Sequence, residues 1–596
     1  MRNILTSHWD DNAKLSLLKF FVEIMSELTF DYTLIYFKPS TSTIFTLANE
    51  CKAAILLSRN REDKKKSALH LLKELRLKIS KSSVFSYVSK IEKSNYLDGL
   101  NSVDSDDTLS MLNILLVEFS PFKTIEICIL VLKNLLLDVT CKEKKLIYNL
   151  TCELVSMLLS YGMGKAHIYK QIDRIFKSPK FAVTIPNSLD EFFKEILPLQ
   201  HNFTICFRLK TPITENIEES REKLSVKLYD TFPSDEFIGV NNYALEKKSD
   251  DLPMYALVED VKAFDPISAL KEARKKVKLL HDVFKLFHHK SDYVISEDAL
   301  IKQCCKKGSV LIRLDTKSSK NIADTRPKFA ANNCSSVLSG SHLAVGKDKL
   351  KFFSALEFHG ISTRSEVIES QITGLWTALE SFSPKNITAT NISNVSKCVV
   401  PVIVLSHVEA IIRNLYKDLK LWNSKILNSA LKKFEGLDRV TKNQALIRLL
   451  VDSEAGGSLQ NLLAALDGND LLRFRLFEIS KMFLSPKKLV SFLREIEEAT
   501  NNELRRIYRA RNDLIHSGFH PINIESIYEI SHYYFDEVFN FCIEMSFDGF
   551  SRFDDIFKFA EIHCVEMLKQ LSNAESFESY GYSRLLWKED MDLDVL

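Results

Sequence analysis

Residues 485–518 have the sequence SPKKLVSFLREIEEATNNELRRIYRARNDLIHSG. Apolar residues recur in this stretch every three or four positions, which is the period of an amphipathic helix. Gly518 stands just beyond the last periodic residue, where glycine commonly ends a helix. The sequence therefore predicts one long helix that starts near Ser485 and stops at Ser517–Gly518, and we call it the motif helix.

The second half of the motif helix is strongly basic and ends with a histidine. Its arginines are Arg505, Arg506, Arg509 and Arg511, and His516 follows in the last turn. A guanidinium binds phosphate and an imidazole titrates near neutral pH, so these side chains suit a ribonuclease that uses no metal. The alternative is a solvated basic face on which His516 only interacts with the helix dipole.

The spacing of these residues distributes them over different faces of a regular helix. Tyr508, Asn512 and His516 follow one another at intervals of four residues and share one face, and Arg509 has roughly the same direction. Arg511 lies about 140° round the helix axis from His516, at ~100° per residue. Arg511 and His516 therefore converge on one phosphate only if the last turn is loosened or if a second chain contributes.

Arg511, Asn512 and, after three further residues, His516 form a short pattern in this helix. The pattern resembles the R-x4-6-H signature of HEPN domains, which also lies late in a helical bundle. Upstream, LWTALESF at residues 375–382 is similar to the first core helix of HEPN proteins of the ApeA type. The chain thus resembles this family from about residue 355 to about residue 550.

The resemblance implies a metal-independent endoribonuclease, a class common in toxin, antiviral and abortive-infection systems. It implies His516 as the general acid or base, Arg511 as the ligand of the phosphate oxygens, and Asn512 as the residue that orients the imidazole or the phosphate. Attack by the RNA 2′-hydroxyl would leave a 2′,3′-cyclic phosphate and a 5′-hydroxyl. Glu380 is a weaker candidate for a third polar group, and a surface or helix-pairing role is its alternative.

Cleavage of this kind uses two proton transfers, whereas each chain offers one set of Arg511 and His516. We therefore expect a homodimer through the HEPN domain that brings two copies of His516 to one cleft, as in HEPN relatives generally. We expect the neighbouring side chains of Arg505, Arg506 and Arg509 to bind RNA. The rest of the chain would restrain the nuclease until a phage-derived or other regulatory trigger arrives.

Two other functions fit the same residues. The first is a HEPN-like bundle that no longer cleaves and serves as a scaffold. The second is a helical regulator that binds nucleic acid without cutting it. The formal net charge of +2, from 80 Lys and Arg against 78 Asp and Glu, disfavours the second, because it provides no global attraction to nucleic acid.

A chain of 596 residues is too long to fold around one hydrophobic core, so several domains are expected. The spacing of the apolar residues also changes along the chain, from helical to strand-like and back to helical. The predicted fold is mainly α, with an all-helical N-terminal domain, a small α+β middle domain and a C-terminal HEPN-type helical bundle. Amphipathic helices are predicted in LSLLKFFVEIMSEL, SALHLLKELRLKI and LIYNLTCELVSMLLSYG, and at 365–382, 399–422, 459–480 and 523–545. Strands are predicted in NFTICFRLK, KLSVKLYDTF, MYALVEDV and SVLIRLD, around a long basic helix at 267–290, and a loop at 318–346. The predicted domains are 1–195, 196–350 with the linker, 351–550, and a helical extension at 551–596.

Neither a cofactor nor a metal is expected. The 11 cysteines include no C-x-x-C pair, as is typical of reduced core thiols, and no phosphate-binding loop is present. The spacing of His281, His288, His289, Cys304 and Cys305 fits no zinc pattern. No signal peptide or membrane span is predicted, since the nearest candidate at 111–137 is broken by charged residues, so we expect a cytoplasmic protein without membrane contact.

Overall fold

The chain folds into two compact units that consist mainly of helices, with one small antiparallel sheet. The N-terminal unit comprises residues 5–15 and 24–320, and the C-terminal unit comprises residues 1–4, 16–23 and 321–596. The computed structural model describes residues 8–9, 16–59, 64–138, 140–180, 182–213, 217–237, 252–290, 292–313, 325–384, 390–435, 440–451, 457–517 and 523–586. The mainly helical character agrees with the sequence prediction, and the bounds of the four predicted domains remain predictions.

The first part of the N-terminal unit is helical up to residue 196, because apolar residues recur there at helical spacing. Its helices, beginning with one that the two units share, are α1 (Ser16–Thr29), α2 (Ile44–Ser58), α3 (Lys65–Lys81), α4 (Phe85–Val88), α5 (Lys93–Gly99), α6 (Asp106–Glu118), α7 (Pro121–Leu137), α8 (Lys144–Tyr161), α9 (Lys165–Ile172) and α10 (Asn187–Ile196). The predicted helices in LSLLKFFVEIMSEL, SALHLLKELRLKI and LIYNLTCELVSMLLSYG are confirmed as α1, α3 and α8.

The second part of the N-terminal unit is a five-stranded antiparallel sheet in the order β2-β3-β1-β4-β5. The strands are β1 (His201–Lys210), β2 (Val226–Tyr229), β3 (Met254–Ala263), β4 (Val294–Gln303) and β5 (Ser309–Arg313), and the helices are α11 (Glu218–Leu224) and α12 (Pro266–Lys285). Four strands and the basic helix were predicted, whereas β4 was missed. Its sequence VISEDALIKQ carries Ser, Glu and Asp in the middle, and only pairing with β1 and β5 makes it a strand.

Helix α12 packs on one face of the sheet through its apolar side, and a buried carboxylate fixes its first turn. Asp265 is 1% exposed and accepts the backbone N–H groups of Ile267 (2.8 Å), Ser268 (2.9 Å) and Gly164 (2.8 Å). The third bond ties the turn between α8 and α9 to the start of α12. A Cβ on Gly164 would lie 3.0 Å from the Asp265 carboxylate, so glycine permits this close approach.

The C-terminal unit contains, besides the first half of α1, helices that pack around a cluster of aromatic rings. They are α13 (Pro327–Gly340), α14 (His342–Val345), α15 (Lys349–Arg364), α16 (Ile368–Phe382), α17 (Asn391–Glu435), α18 (Lys442–Val451), α19 (Ser458–Ala465), α20 (Asp470–Met482), α21 (Pro486–Ser517), α22 (Ile524–Phe547), α23 (Phe553–Asn573) and α24 (Phe577–Tyr580). At the centre, the buried ring of Phe382 stacks on rings from α23 and packs at a tilt against rings from α22.

Two predictions for this unit, one of a helix and one of a loop, need correction, and a third is refined. The segment 459–480 was predicted as one helix but forms two, because Gly468 adopts a left-handed φ of +92° and Asn469 caps α20 through the N–H of Leu472. The predicted loop at 318–346 contains α13, a helix without buried residues. The predicted helix end at 422 is confirmed as a break inside α17, where Asn423 leaves helical geometry and its side chain accepts two backbone N–H groups that follow.

Helix α17 contains a candidate membrane span among the described residues. Its segment Asn391–Phe434 is long and apolar enough to cross a membrane by length and composition, unlike the candidate named from the sequence at 111–137. In the structure 72% of its most apolar window is buried. A core helix passes the same test, and this burial is what packing inside a helical bundle produces.

Candidate active site

The motif helix is α21, a continuous helix over Pro486–Ser517, as predicted. Leu504, Ile507 and Ala510 are buried, each at 3% exposure or less, and their spacing of three residues anchors one side of the helix in the bundle. The opposite side turns outward. The predicted stop at Gly518 lies outside the described residues.

Helix α16, which carries the LWTALESF sequence, packs against the motif helix. The rings of Trp376 and Tyr508 lie 5.3 Å apart at 43°, and Trp376 is fully buried. The two segments on which the family resemblance depends therefore touch each other in the fold, although they lie more than a hundred residues apart in the sequence. Tyr508 is one helical turn before Asn512 on the same face, so this contact fixes the base of the candidate site.

Arg511 and Asn512 form a hydrogen-bonded pair near the end of the motif helix. Nη1 of Arg511 donates to Oδ1 of Asn512 over 3.1 Å, and both side chains are half-buried. Nε of Arg511 is buried and has no hydrogen-bond partner among the described residues. An unpaired buried donor costs about 1–3 kcal/mol, and an anionic oxygen supplied by a ligand would remove this cost once the side chains that cover Nε move aside.

His516 lies in the last turn of the motif helix with its side chain exposed. In the part of the chain that the structure describes, no hydrogen bond or ion pair involves its imidazole. The helix stays regular through Ser517, so Arg511 and His516 of one chain differ by about 140° in direction and by ~7.5 Å along the axis. The last turn of the motif helix is therefore not loosened. Loosening of this turn was one of the two ways in which Arg511 and His516 could converge on one phosphate.

The other three arginines of the motif helix differ in their access to solvent. Arg506 is 6% exposed and has a partner within the protein, so it is not presented to an RNA backbone, and its predicted role in RNA binding needs correction. Arg505 and Arg509 are partly exposed. Burial, and secondly the charge of Arg509, lower the pKa of Arg505. These two arginines lie on the same side of the motif helix as His516 and remain candidates for RNA contact.

Helix α16 runs antiparallel to the motif helix. Its aromatic contact with Tyr508 is near its middle, and at its end Phe382 packs 6.3 Å from Phe535 of α22. The hydroxyl of Tyr534 in α22 donates to the carboxylate of Glu503. The end of α16 therefore lies beside Glu503. Glu503 precedes Tyr508 in the motif helix, whereas His516 follows it, so the end of α16 lies on the side of Tyr508 that faces away from His516.

This direction separates Glu380 from His516. Glu380 lies between the Tyr508 level and the end of α16, so it is on the order of 15–20 Å from His516 along the motif helix at 1.5 Å per residue. Oε1 of Glu380 instead accepts a hydrogen bond of 3.2 Å from Nδ2 of Asn391, the first residue of α17. The structure thus gives Glu380 the helix-pairing role that was its alternative and does not bring it to His516 of the same chain.

The residues weighed as metal ligands separate in the structure. His281 is buried, and its ring nitrogens lie 2.9 Å from the carbonyl of Val277 and 2.7 Å from Oγ1 of Thr211. Cys304 and Cys305 lie close to His201, a residue that the sequence analysis did not consider. A second cluster in the C-terminal unit, formed by His359, His532 and Asp536, was also not predicted, because His359 and His532 lie 173 positions apart in the chain.

Comparison of the chain with protein-family models, with curated proteins and with solved structures gives no match. The candidate site therefore has to be judged by its own geometry. It offers an exposed imidazole, a guanidinium held by a neighbouring amide, and two further arginines on one surface. This set of groups can bind a phosphate and transfer a proton to or from it.

Proposed function

We propose that the C-terminal unit is a HEPN-type endoribonuclease that cleaves RNA without a metal ion. The observation that carries the proposal is the end of the motif helix, where the exposed His516 follows an Arg511 whose buried Nε has no partner among the described residues. An anion is the ligand that such a guanidinium lacks. The packing of Trp376 on Tyr508 supports a HEPN-type arrangement of α16 and the motif helix.

The reaction follows from the chemistry of RNA. One imidazole takes the proton of the 2′-hydroxyl, the 2′-oxygen attacks the adjacent phosphorus, and the bond from phosphorus to the 5′-oxygen breaks. A protonated imidazole returns a proton to the leaving 5′-oxygen. Arg511 neutralises the charge that develops on the phosphate, while Asn512 orients the guanidinium. The products are a 2′,3′-cyclic phosphate and a 5′-hydroxyl.

A homodimer supplies the two imidazoles that this scheme requires. On a regular helix, Arg511 and His516 of one chain point in different directions, and this favours a cleft to which a second chain contributes. Rotation about a twofold axis brings the same helix ends of both chains together. Arg505 and Arg509 would then extend the cationic surface along the bound RNA.

We further propose that the N-terminal unit restrains this activity until a trigger arrives, as in a toxin or abortive-infection effector acting in the cytoplasm. A ribonuclease that damages its host must be held inactive, and this gives the remainder of the chain a role. The defence role rests on analogy with HEPN proteins. The trigger is expected to be phage-derived or another regulatory signal.

The proposal is tested by incubating the purified full chain with total RNA in excess chelator, with and without an extract of phage-infected cells as the source of the trigger, and mapping the ends of the products. We expect discrete cuts with cyclic-phosphate ends, and loss of cleavage by ~10²- to 10⁴-fold in His516→Ala and Arg511→Ala. His563→Ala is the matched control, because His563 is a partly exposed histidine on α23 of the same unit. Cleavage that survives in His516→Ala refutes the proposal, and a folded wild-type protein that never cleaves favours the inactive scaffold.

A further inference from the structure

A cluster of two histidines and an aspartate joins α15 to α22 and includes none of the residues of the proposed nuclease. Nε2 of His359 lies 3.2 Å from Nε2 of His532, and Nδ1 of His532 lies 2.8 Å from Oδ2 of Asp536. One ligand atom from each of the three residues lies within 4.8 Å of the others. His532 and Asp536 are one turn apart on α22, whereas His359 reaches them from α15.

The aspartate determines which nitrogen of His532 carries a proton. A carboxylate accepts hydrogen bonds and cannot donate them, so the 2.8 Å contact places a proton on Nδ1 of His532. The neutral ring then has its lone pair on Nε2, which is the atom that faces His359. A carboxylate behind a histidine in this way is the usual support of a metal-bound imidazole.

The surroundings hold both rings in place and disfavour the charged form of His359. The ring of His359 stacks on Phe535 at 4.8 Å and 8°, and the side chain of His532 is 7% exposed. Burial, and secondly the neighbouring His532, lower the pKa of His359, while Asp536 acts in the opposite direction. The hydroxyl of Tyr528, whose ring lies 6.1 Å from that of His532, is buried without a hydrogen-bond partner among the described residues.

We propose that Nε2 of His359 and Nε2 of His532 bind one divalent transition-metal ion of the Zn²⁺ type, with Asp536 supporting His532. The separation of 3.2 Å between the two nitrogens corresponds to an angle of about 100° at an ion that lies ~2.1 Å from each, close to tetrahedral. The Asp536 carboxylate, whose Oδ1 is 4.0 Å from Nε2 of His359, is within reach of a third position. Imidazole nitrogen with carboxylate oxygen suits Zn²⁺, Co²⁺ and Ni²⁺ rather than Ca²⁺ or Mg²⁺.

The ion would cross-link α15 to α22 and leave at least one position open. The side chains of His359 and Asp536 are 27% and 39% exposed, so the ion can enter from solvent. Without a metal ion, a proton would lie between Nε2 of His359 and Nε2 of His532 and join them by a hydrogen bond. This site is independent of the proposed nuclease, whose chemistry uses no metal and whose residues lie on the motif helix.

The test measures binding of Co²⁺ and Zn²⁺ to the chelator-stripped full chain. The parent protein carries Cys304→Ser and Cys305→Ser, because these exposed thiols near His201 form a second cluster that could take the same ions. We expect one equivalent of Co²⁺, with ligand-field absorption and no thiolate band, displaced by Zn²⁺. Thermal unfolding is expected to shift upward when Zn²⁺ is added.

The variants assign this binding to the cluster. His359→Gln should abolish binding and the thermal shift, and Asp536→Asn should weaken binding by about 10- to 100-fold. His563→Gln is the matched control and should bind like the parent. Circular dichroism verifies that each variant is folded, and the partial exposure of His359 makes its substitution the safer one. A folded parent that binds neither ion, or a His359→Gln variant that binds as tightly as the parent, overturns the proposal.

Discussion

A heterodimer with one wild-type subunit and one His516→Ala subunit tests whether two chains build one nuclease cleft. The motif helix is regular through Ser517, so Arg511 and His516 of one chain lie ~7.5 Å apart along the axis and about 140° apart around it. If both proton transfers occur in a shared cleft, one copy of His516 takes the proton and the other supplies it. Removal of either copy then disables the whole dimer.

The two arrangements predict different activities for this heterodimer. In the shared cleft, loss of one acid or base should reduce cleavage by ~10²-fold or more, so the heterodimer retains about 1% of wild-type activity or less. Two independent sites would instead leave about one half, because the wild-type subunit keeps its own site. The difference of roughly fiftyfold is larger than the scatter of a cleavage assay.

The assay uses two affinity tags, one on each subunit, and tandem purification of the mixed dimer. Initial rates of cleavage are measured on a labelled RNA in excess chelator, with the wild-type homodimer as reference. A heterodimer of wild type with His563→Ala is handled in the same way and should keep full activity. An activity near one half for the His516→Ala heterodimer, or cleavage by a monomeric protein, would show that two chains do not build one cleft.

Two further predictions concern stability. Burial lowers the pKa of His407 from 6.5 to about 3, so below pH 6.5 the unfolded chain binds a proton that the native chain does not. The free energy of unfolding should therefore fall as the pH drops, and His407 should account for about 2 kcal/mol of this loss at pH 5. Urea unfolding at pH 7 and pH 5 measures the loss. In His407→Leu, the contribution of His407 to the difference between the two pH values should disappear. Asp265→Ala leaves three backbone N–H groups without their acceptor at the start of α12 and should cost about 3 kcal/mol or more. Urea unfolding measures the loss, with Ser268→Ala, which removes one hydroxyl near the same carboxylate, expected to cost clearly less.

The sequence identified the long helices well, because a helix that buries one face records its period in consecutive residues. The motif helix and the break in α17 after residue 422 are examples, and Asn423 shows the local reason, since its side chain caps the segment that follows. The break at Gly468 could also have been predicted, because Asp-Gly-Asn at 467–469 is a turn signal. It was missed because the helical periodicity on both sides of the turn indicated one continuous helix.

Other features depend on partners that are distant in the chain. Strand β4 has a mixed sequence and becomes a strand by pairing between β1 and β5. The burial of Arg506 depends on what packs over its face of the motif helix, and no pattern of neighbouring residues encodes that. Glu380 and His516 were grouped because their helices touch, but the antiparallel direction of the two helices separates them.

Spacing along one segment was enough to specify the helical class, the motif helix and the order of Arg511, Asn512 and His516 on it. Packing between distant segments was needed to bring Trp376 to Tyr508, to bury Nε of Arg511 without a partner among the described residues, and to bring His359 to His532. Periodicity records which side of a helix is buried, whereas the identity and direction of the neighbouring helix are set by contacts between segments far apart in the chain.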